Sequence, residues 1–404
     1  MSEPLVVIGN GMAAARFVEE LSARALGRYA LAVVGEEPRL AYNRILLSSL
    51  LAKEIAPADI ELKPARWWRE RGVTLRYGCA ASAVDTEKRA VTLADGRSLP
   101  YSKLVFATGS DPLKLSVSGI ELPGVLTFRD IRDVDAMTAI AAPGRRIAVI
   151  GGGLLGIEAA HGLAKRGARV TLVHLMDRLM ERQLDPRAAA MLKRAIENKG
   201  VEIVLNAETS RIFGTHRVEG IELKDGRTVA ADLVILAAGI RPKAGLAAAA
   251  GIHVNRGIVV DDRLETSVAG IHAIGECAEF AGQCYGLVEP AYEQARVLAD
   301  HLAGGAARYQ GSVLATNLKV SGVNVFSAGN FIDGRDFEEI VLSDPGLDLY
   351  KKLVIAGGKL AGAVLYGDTA DGLWYLDLIR TGAPIASFRD DLVFGRALAL
   401  RAAA

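Results

Sequence analysis

A glycine-rich stretch near the start of the chain, VVIGNGMAA, has a spacing that indicates phosphate chemistry. It places Gly9, Gly11 and Ala14 in the pattern G-x-G-x-x-A. The first glycine permits a tight turn, the second lets a pyrophosphate approach the backbone, and the third position needs a small side chain for helix–strand packing. The phosphates would lie at the N-terminus of the following helix. Glu36, at the end of the next strand, is placed to take ribose hydroxyls ahead of Glu37. The alternative is a glycine turn made only for packing.

A second stretch, IAVIGGGLLG, repeats the pattern in full. Gly151, Gly153 and Gly156 form G-x-G-x-x-G. The residue that ends the next strand is His174, whereas a carboxylate there would favour a free ribose 2′-OH and repel a 2′-phosphate. With Arg178 four residues further on, His174 would tolerate either group, so NADH and NADPH both stay open. The alternative for His174 is a half-exposed strand-end residue without ligand contact.

Each glycine-rich stretch opens a matched series of elements. A helix and a strand follow it, then a second helix that leads into Gly-Val and a strand, then an Asp-Gly hairpin and a last strand. The Asp-Gly pair of the first copy ends thirteen residues before Gly109, and that of the second ends thirteen residues before Gly239. Alternating strands and helices predict parallel sheets with helices on both faces. Two such copies are much more specific than one fingerprint alone.

Two dinucleotide sites in one chain have a natural chemical use. One cofactor stays bound while the other comes and goes, and FAD with NADH or NADPH fits this, because hydride passes from nicotinamide to flavin while the protein supplies positioning. The sequence therefore predicts an α/β protein with two Rossmann-like dinucleotide-binding domains and a small C-terminal α+β domain. The FAD domain takes residues 1–112 and 240–308, the NAD(P)H domain takes 113–239, and the C-terminal domain takes 309–404.

The composition excludes several classes of protein. The formal net charge of +1 gives no reason to expect a nucleic-acid or membrane-surface partner. We expect no signal peptide, because no basic stretch precedes an apolar run at the start, and no apolar run reaches membrane-spanning length. Three cysteines, Cys79, Cys277 and Cys284, are too few for a disulfide framework and predict a cytoplasmic protein. Pairing or metal binding by the last two is the alternative.

The motifs VVIGNG, ATG at 107–109, VIGGGLLGIE and AIGECA at 273–278 together resemble the pyridine nucleotide–disulfide oxidoreductase superfamily over the full chain. Within it, the segments EEPRLAYNRILLSS, MERQLD and LAGAVLYGD are most similar to the flavin module of assimilatory nitrite reductase large subunits and the electron-transfer subunit of assimilatory nitrate reductase. Rubredoxin and ferredoxin reductases are more distantly related members of the same superfamily. The region YNRILLSSLLAKE lacks the cysteine pair of the disulfide reductases, so dithiol chemistry is not expected there.

The resemblance implies roles by position around the flavin. Thr108 and Gly109 would border the FAD, and Arg44 would lie near its pyrophosphate. Glu276, next to Gly275, occupies the position where relatives usually carry Asp on the flavin ribityl chain.

Further roles concern the second nucleotide and one helix. Glu158 would lie near the nicotinamide as the catalytic candidate, and its alternative is a first-turn acid favoured by the helix dipole. Gly239 takes the place of Gly109 in the second copy. The helix from Pro290 would direct its N-terminus at the flavin.

The expected activity is transfer of electrons from NADH or NADPH through FAD to a separate redox protein. The resemblance points to the catalytic subunit of an assimilatory nitrate reductase as the acceptor, with rubredoxin or ferredoxin as the alternative. An NADH oxidase and a flavin-binding sensor are the other options. A homodimer, in which the C-terminal domain takes part, is also compatible with the resemblance.

Overall fold

A computed structural model of the chain describes residues 2–320, 322–332 and 337–402. The chain divides into two compact units. The first consists of Met1–Leu50, Ile55–Pro112 and Ile240–Ser312, and the second of Leu51–Glu54, Leu113–Gly239 and Val313–Ala404. Both units are therefore discontinuous in sequence. The three domain boundaries given above remain a prediction.

The first 112 residues begin with the predicted strand–helix–strand series. The strand LVVI is buried on both faces, as is typical of a central parallel strand. The elements are β1 (Glu3–Ile8), α1 (Met12–Ala25), β2 (Tyr29–Gly35), α2 (Leu47–Leu51), α3 (Ala65–Glu70), β3 (Thr74–Tyr77), β4 (Ala81–Asp85), β5 (Ala90–Leu93), β6 (Ser98–Pro100), β7 (Lys103–Phe106) and β8 (Ser110–Pro112).

The next segment repeats this series, with its Asp-Gly turn between β14 and β15. Its elements are β9 (Val125–Thr127), α4 (Ile131–Ile140), β10 (Arg146–Ile150), α5 (Leu154–Lys165), β11 (Arg169–Val173), α6 (Pro186–Glu197), β12 (Val201–Val204), β13 (Thr209–Phe213), β14 (Gly220–Leu223), β15 (Thr228–Ala230) and β16 (Leu233–Leu236). A parallel sheet in the order β12-β11-β10-β16-β9 forms its centre.

The chain then returns to the first unit. Its elements there are β17 (Ile240–Pro242), α7 (Gly245–Ala249), β18 (Ile258–Val260), β19 (Ile271–Ala273), β20 (Ala278–Phe280), β21 (Gln283–Cys284) and α8 (Val288–Leu302). Strand β19 completes a parallel sheet in the order β19-β7-β1-β2-β3. Helix α8 packs against α1, so the glycine-rich turn after β1 rests on elements from both ends of this unit.

The last segment is antiparallel, as predicted. Its elements are β22 (Ala315–Val320), β23 (Val323–Gly329), β24 (Glu338–Asp344), β25 (Leu349–Ala356), β26 (Lys359–Tyr366), α9 (Gly372–Thr381) and α10 (Arg396–Ala402). The five strands form one sheet in the order β22-β23-β26-β25-β24, with the predicted Gly-Gly turn between β25 and β26.

Two tyrosines fasten this sheet to helix α6 within the second unit. The Tyr350 hydroxyl donates to Asp185 Oδ2 at 2.6 Å, and the Tyr366 hydroxyl donates to the Met191 carbonyl at 3.3 Å. Asp185 also caps α6 by accepting the Ala188 N–H at 3.1 Å. One buried carboxylate thus holds both the helix end and the sheet.

No helix in the described ranges is long and apolar enough to span a membrane.

Candidate nucleotide-binding sites

The turn after β1 is built for glycine. Gly9 has φ +119°, and a Cβ there would lie 2.0 Å from the Ala107 carbonyl oxygen at the end of β7. Gly11 is the N-cap of the 14-residue helix α1, with no side-chain cap and no atom within 4 Å of where a Cβ would lie. Ala14 is fully buried, as a packing position requires. The first-turn N–H groups of α1 therefore adjoin open space that suits an anion.

The middle residue of this turn, Asn10, joins it to the end of β2. Its Nδ2 donates to the Arg39 carbonyl at 3.1 Å. A Cβ on Gly35 would lie 2.6 Å from Asn10 Cβ, so the two turns pack tightly. Asn10 Oδ1 is buried and accepts no hydrogen bond from the described residues, which leaves an acceptor beside the phosphate-binding turn.

The two acids after β2 have different partners. Glu36 remains 54% exposed in its side chain and pairs with Lys243 Nζ at 2.6 Å. Glu37 accepts the Tyr42 hydroxyl at 2.6 Å and forms an ion pair with Arg44. The more exposed Glu36 is the one with room for ribose hydroxyls. Lys243 could not be foreseen from sequence, since 207 residues separate it from Glu36.

Arg44 is a firmly charged group in this unit. Burial lowers the pKa of its guanidinium, but Tyr42 and Glu37 together outweigh that effect and raise the pKa. Glu276 contributes in the same direction, which places Arg44 and Glu276 within electrostatic range. The guanidinium also lies over the Tyr42 ring, 5.1 Å from its centroid. The predicted pyrophosphate and ribityl residues therefore lie in one neighbourhood.

The segment after β7 contacts Glu276 directly. Ser110 Oγ donates to Glu276 Oε2 at 2.8 Å, and Thr108 Oγ1 donates to the Lys243 carbonyl at 2.6 Å. Gly109 between them has φ +69°. Ser110 was missed by sequence reasoning, although it follows the ATG motif immediately.

The AIGECA turn lies against the first turn of α1. Gly275 has φ +79°, and a Cβ there would lie 3.0 Å from Ala13 Cβ. Its N–H donates to Gln294 Oε1 at 2.7 Å. Gln294 is fully buried on α8, and its Nε2 has no acceptor among the described residues. Helix α8 begins at Val288, two residues before the predicted start at Pro290.

The cysteines play no visible part in redox chemistry. All three are free thiols, so the alternative of a Cys277–Cys284 disulfide is wrong. Burial raises the pKa of Cys277 and of Cys284. Both therefore stay protonated and behave as small apolar side chains. Within the described ranges, no group of three potential metal ligands comes together.

The second glycine turn reproduces the first. Gly151 has φ +122°, and a Cβ there would lie 2.3 Å from the Ala237 carbonyl oxygen after β16. A Cβ on Gly156 would lie 1.8 Å from the Gly151 oxygen, so this position admits only glycine. Gly153 is the N-cap of the 12-residue helix α5, again with no side-chain cap and no atom within 4 Å of where a Cβ would lie. Two equivalent phosphate cradles therefore occur in the chain, one in each unit.

His174 at the end of β11 is not the half-exposed residue of the alternative above. Its exposure is 8%, and Nδ1 accepts the Gly152 N–H at 2.9 Å. Its Nε2 lies 3.1 Å from Glu181 Oε2. The ring fits because Gly152 has no side chain, since a Cβ there would lie 2.6 Å from His174 Cγ. The bare middle glycine of GGG was the sequence signal for this bond.

Glu158 and Gly239 are the other two residues predicted for the second nucleotide. Glu158 lies in the second turn of α5, because the helix begins at Leu154, so the reading as a first-turn acid is wrong. Gly239 has φ +125°, and its carbonyl accepts the Leu113 N–H at 2.9 Å. Glu158 stays the predicted catalytic candidate, and Gly239 stays a predicted nucleotide-binding position.

Comparisons with known proteins give consistent matches. Residues 3–297 match the family profile of pyridine nucleotide-disulphide oxidoreductases, and residues 315–383 match the rubredoxin NAD+ reductase C-terminal domain. A nitrite reductase [NAD(P)H] of Bacillus subtilis is 45% identical over 95% of this chain and 48% of its own length. The assimilatory nitrate reductase electron transfer subunit of the same organism is 42% identical over 96% of this chain and 51% of its own. The chain thus spans about half the length of these relatives.

Solved structures of reductases are also similar to this chain. A putidaredoxin reductase in covalent complex with putidaredoxin is 25% identical, with a TM-score of 0.88 over 99% of this chain and 97% of that chain. A ferredoxin reductase of Rhodopseudomonas palustris is 26% identical, with a TM-score of 0.86 over 97% of this chain and 100% of its own. These reductases share the fold of two dinucleotide-binding domains and a C-terminal domain.

Proposed function

The chain belongs to the pyridine nucleotide-disulphide oxidoreductase family, and on that premise we propose that it is an NAD(P)H-dependent flavoprotein that delivers electrons to a separate redox protein. The observation that carries the proposal is the pair of equivalent glycine cradles at Gly11 and Gly153, each open in front of an uncapped helix N-terminus. FAD, when bound, would accept the hydride of a nicotinamide and release electrons singly.

The first cradle fits the FAD pyrophosphate. The N–H groups at the start of α1 would donate to phosphate oxygens, and Gly9 and Gly11 would let the phosphates approach the backbone. Arg44 supplies a permanent positive charge nearby, held by Glu37 and Tyr42. Glu36 would accept ribose hydroxyls, and Lys243 pairs with that carboxylate.

The residues after β7 and β19 fit the flavin end. Thr108 and Gly109 would border the FAD, and Glu276 would hold the ribityl chain while Ser110 donates a hydrogen bond to its carboxylate. The buried Gln294 holds the turn at Gly275 by accepting the Gly275 N–H. The start of α8 has the positive end of a helix dipole, which would stabilise negative charge on a reduced flavin bound in front of it.

The second cradle fits NADH or NADPH. Gly151 and Gly156 shape the turn, Gly153 admits the pyrophosphate, and α5 offers its N–H groups. Glu158 would lie near the nicotinamide from the second turn of α5. These residues bind and orient, because hydride transfer itself requires no acid–base side chain.

We place the catalytic subunit of an assimilatory nitrate reductase as the electron acceptor. The support is that a relative named as the electron transfer subunit of such an enzyme is 42% identical over 96% of this chain. A rubredoxin or ferredoxin is the second candidate, favoured by the match of residues 315–383 to the C-terminal domain of rubredoxin NAD+ reductase. We also place the protein in the cytoplasm, since its three cysteines are free thiols. A homodimer remains a prediction for sedimentation analysis.

The test is electron delivery under anaerobic conditions. The full chain, loaded with FAD, is mixed with NADH and with each candidate acceptor in turn: the nitrate reductase catalytic subunit, a rubredoxin and a ferredoxin. With nitrate added as the terminal oxidant, we expect rapid, catalytic reduction of nitrate to nitrite only with the first of these acceptors. In a separate aerobic assay without any protein acceptor, fast oxidation of NADH by oxygen would indicate an oxidase instead. Slow reduction of the flavin by NADH would indicate a sensor.

A further inference from the structure

The segment 174–182 after β11 forms the rim of the second cradle. Leu175 and Met176 are 57% and 42% exposed, which is unusual for large apolar side chains at the end of a buried strand. The Met176 carbonyl accepts the Asn206 N–H at 3.0 Å, so the segment is fixed to the loop after β12. Exposed apolar side chains beside a phosphate cradle suit the adenine ring of a dinucleotide. The adjacent polar groups would therefore face the adenosine ribose.

The hydrogen bonds of His174 determine which polar group this is. Because Nδ1 accepts the Gly152 N–H, it carries no proton, and the single ring proton lies on Nε2. Nε2 therefore donates to Glu181 Oε2 at 3.1 Å. Both ring nitrogens are occupied by protein partners, so the imidazole is neutral and has no group to offer a ribose.

We propose that Glu181, held by His174, reads the ribose 2′ position and makes the chain selective for NADH over NADPH. This inference rests on the proposed function, which places the nucleotide at the second cradle. The Glu181 side chain is 24% exposed, and its Oε1 accepts no hydrogen bond from the described residues. A carboxylate there accepts a hydrogen bond from a 2′-OH and repels a 2′-phosphate. Glu181 thus supplies the carboxylate that is missing at position 174, and His174 holds it in place.

The other charges of the segment balance one another. Arg178 Nη1 is paired with Asp177 at 2.9 Å, and its buried Nε has no hydrogen-bond partner among the described residues. Arg182 is exposed and follows Glu181 directly. Two cations and two acids leave residues 177–182 without net charge, whereas a 2′-phosphate requires an excess of positive charge.

The test compares two probes that differ only at the 2′ position, ADP-ribose and 2′-phospho-ADP-ribose, by calorimetric titration of the full chain. We expect wild-type protein to bind ADP-ribose at least tenfold more tightly. Glu181→Gln keeps an oxygen that can accept the His174 Nε2–H but removes the charge. This variant should lower the ratio of the ADP-ribose affinity to the 2′-phospho-ADP-ribose affinity at least tenfold, chiefly because the 2′-phosphate probe binds more tightly.

Glu197→Gln is the matched control, since it removes an acid that pairs with Lys193 on α6 and does not contact His174. Its ratio should equal that of the wild type. Long-range ¹H–¹⁵N spectra of the imidazole give a reading that does not depend on the variants, and should show His174 protonated on Nε2 alone.

The outcomes separate the two claims. If neither probe binds the wild type, the proposed function fails, and the inference fails with it. If both probes bind equally, or Glu181→Gln leaves the ratio unchanged, the nucleotide site stands and the inference is overturned. An Nδ1-protonated ring also overturns it, because His174 could then not donate to Glu181 in this arrangement.

Discussion

The sharpest prediction concerns Gly153→Ala at the opening of the second cradle. Gly153 has φ −78°, which alanine adopts without strain, and its new methyl group would meet no protein atom within 4 Å. The remaining cost to the fold is the weaker N-cap preference of alanine, about 1 kcal/mol at most. In a unit of this size, that lowers Tm by about 2–4 °C.

The nucleotide should suffer much more than the fold. The methyl group occupies the space through which a pyrophosphate approaches the backbone, so one or two hydrogen bonds to a charged phosphate are lost. Each contributes about 1.5–3 kcal/mol. We therefore expect ADP-ribose binding to weaken by about 100-fold, which corresponds to about 2.8 kcal/mol. Calorimetric titration and thermal unfolding of the same preparation measure the two effects side by side.

Two further variants serve as controls. Gly11→Ala has the same open surroundings at the first cradle, with φ −105°, and should weaken FAD retention while ADP-ribose binding persists. Gly245→Ala is equally open but lies in no dinucleotide turn, so it should change neither ligand. If Gly153→Ala bound ADP-ribose as tightly as the wild type, the reasoning would be refuted, because the pyrophosphate could then not lie against the backbone of residue 153.

Two other predictions concern stability. Tyr350→Phe removes the hydrogen bond to Asp185 that joins the C-terminal sheet to α6, and should cost about 1–3 kcal/mol in denaturant unfolding, whereas an unchanged midpoint would contradict the anchoring role. His272 is 1% exposed on β19, and burial lowers its pKa to about 4, with Glu265 opposing and Lys103 and His301 adding to the effect. Because the unfolded chain, with a histidine pKa near 6.5, binds the proton first, stability is complete above that pH and falls by up to about 3 kcal/mol as pH drops from 6.5 to 4. Unfolding curves of His272→Leu should lose this part of the pH dependence, and an identical slope in both proteins would count against it.

Much of the fold follows from local sequence patterns. The apolar run LVVI, the glycine turns and the Asp-Gly hairpins each act over a few residues, so both parallel sheets and the antiparallel sheet could be predicted. The small sheet β18-β20-β21 and the pairing of β8 with β17 could not, because they join short strands that carry little periodicity. Ser110–Pro112 and Ile240–Pro242 meet only once the whole first unit has formed.

The candidate sites show the same limit. The glycines at each cradle were predictable because the spacing G-x-G-x-x-G/A itself indicates which positions of the turn need a residue without a side chain. The partners of the acids were not, because Lys243 reaches Glu36 and Ser110 reaches Glu276 across long stretches of chain. His174 was predicted by position to contact the ligand, but its bond to the Gly152 N–H was not predicted, because the bond engages a backbone group and the sequence indicates it only through the missing side chain of Gly152.

The account depends most directly on the claim that the two cradles hold FAD and a nicotinamide nucleotide in one working protein. The decisive measurement is the visible spectrum of the purified full chain after incubation with FAD, followed by anaerobic addition of NADH. We predict a yellow protein with one FAD per chain whose flavin absorbance bleaches rapidly and completely. A chain that takes up no FAD, or a yellow protein that NADH and NADPH both leave oxidised, would contradict the account.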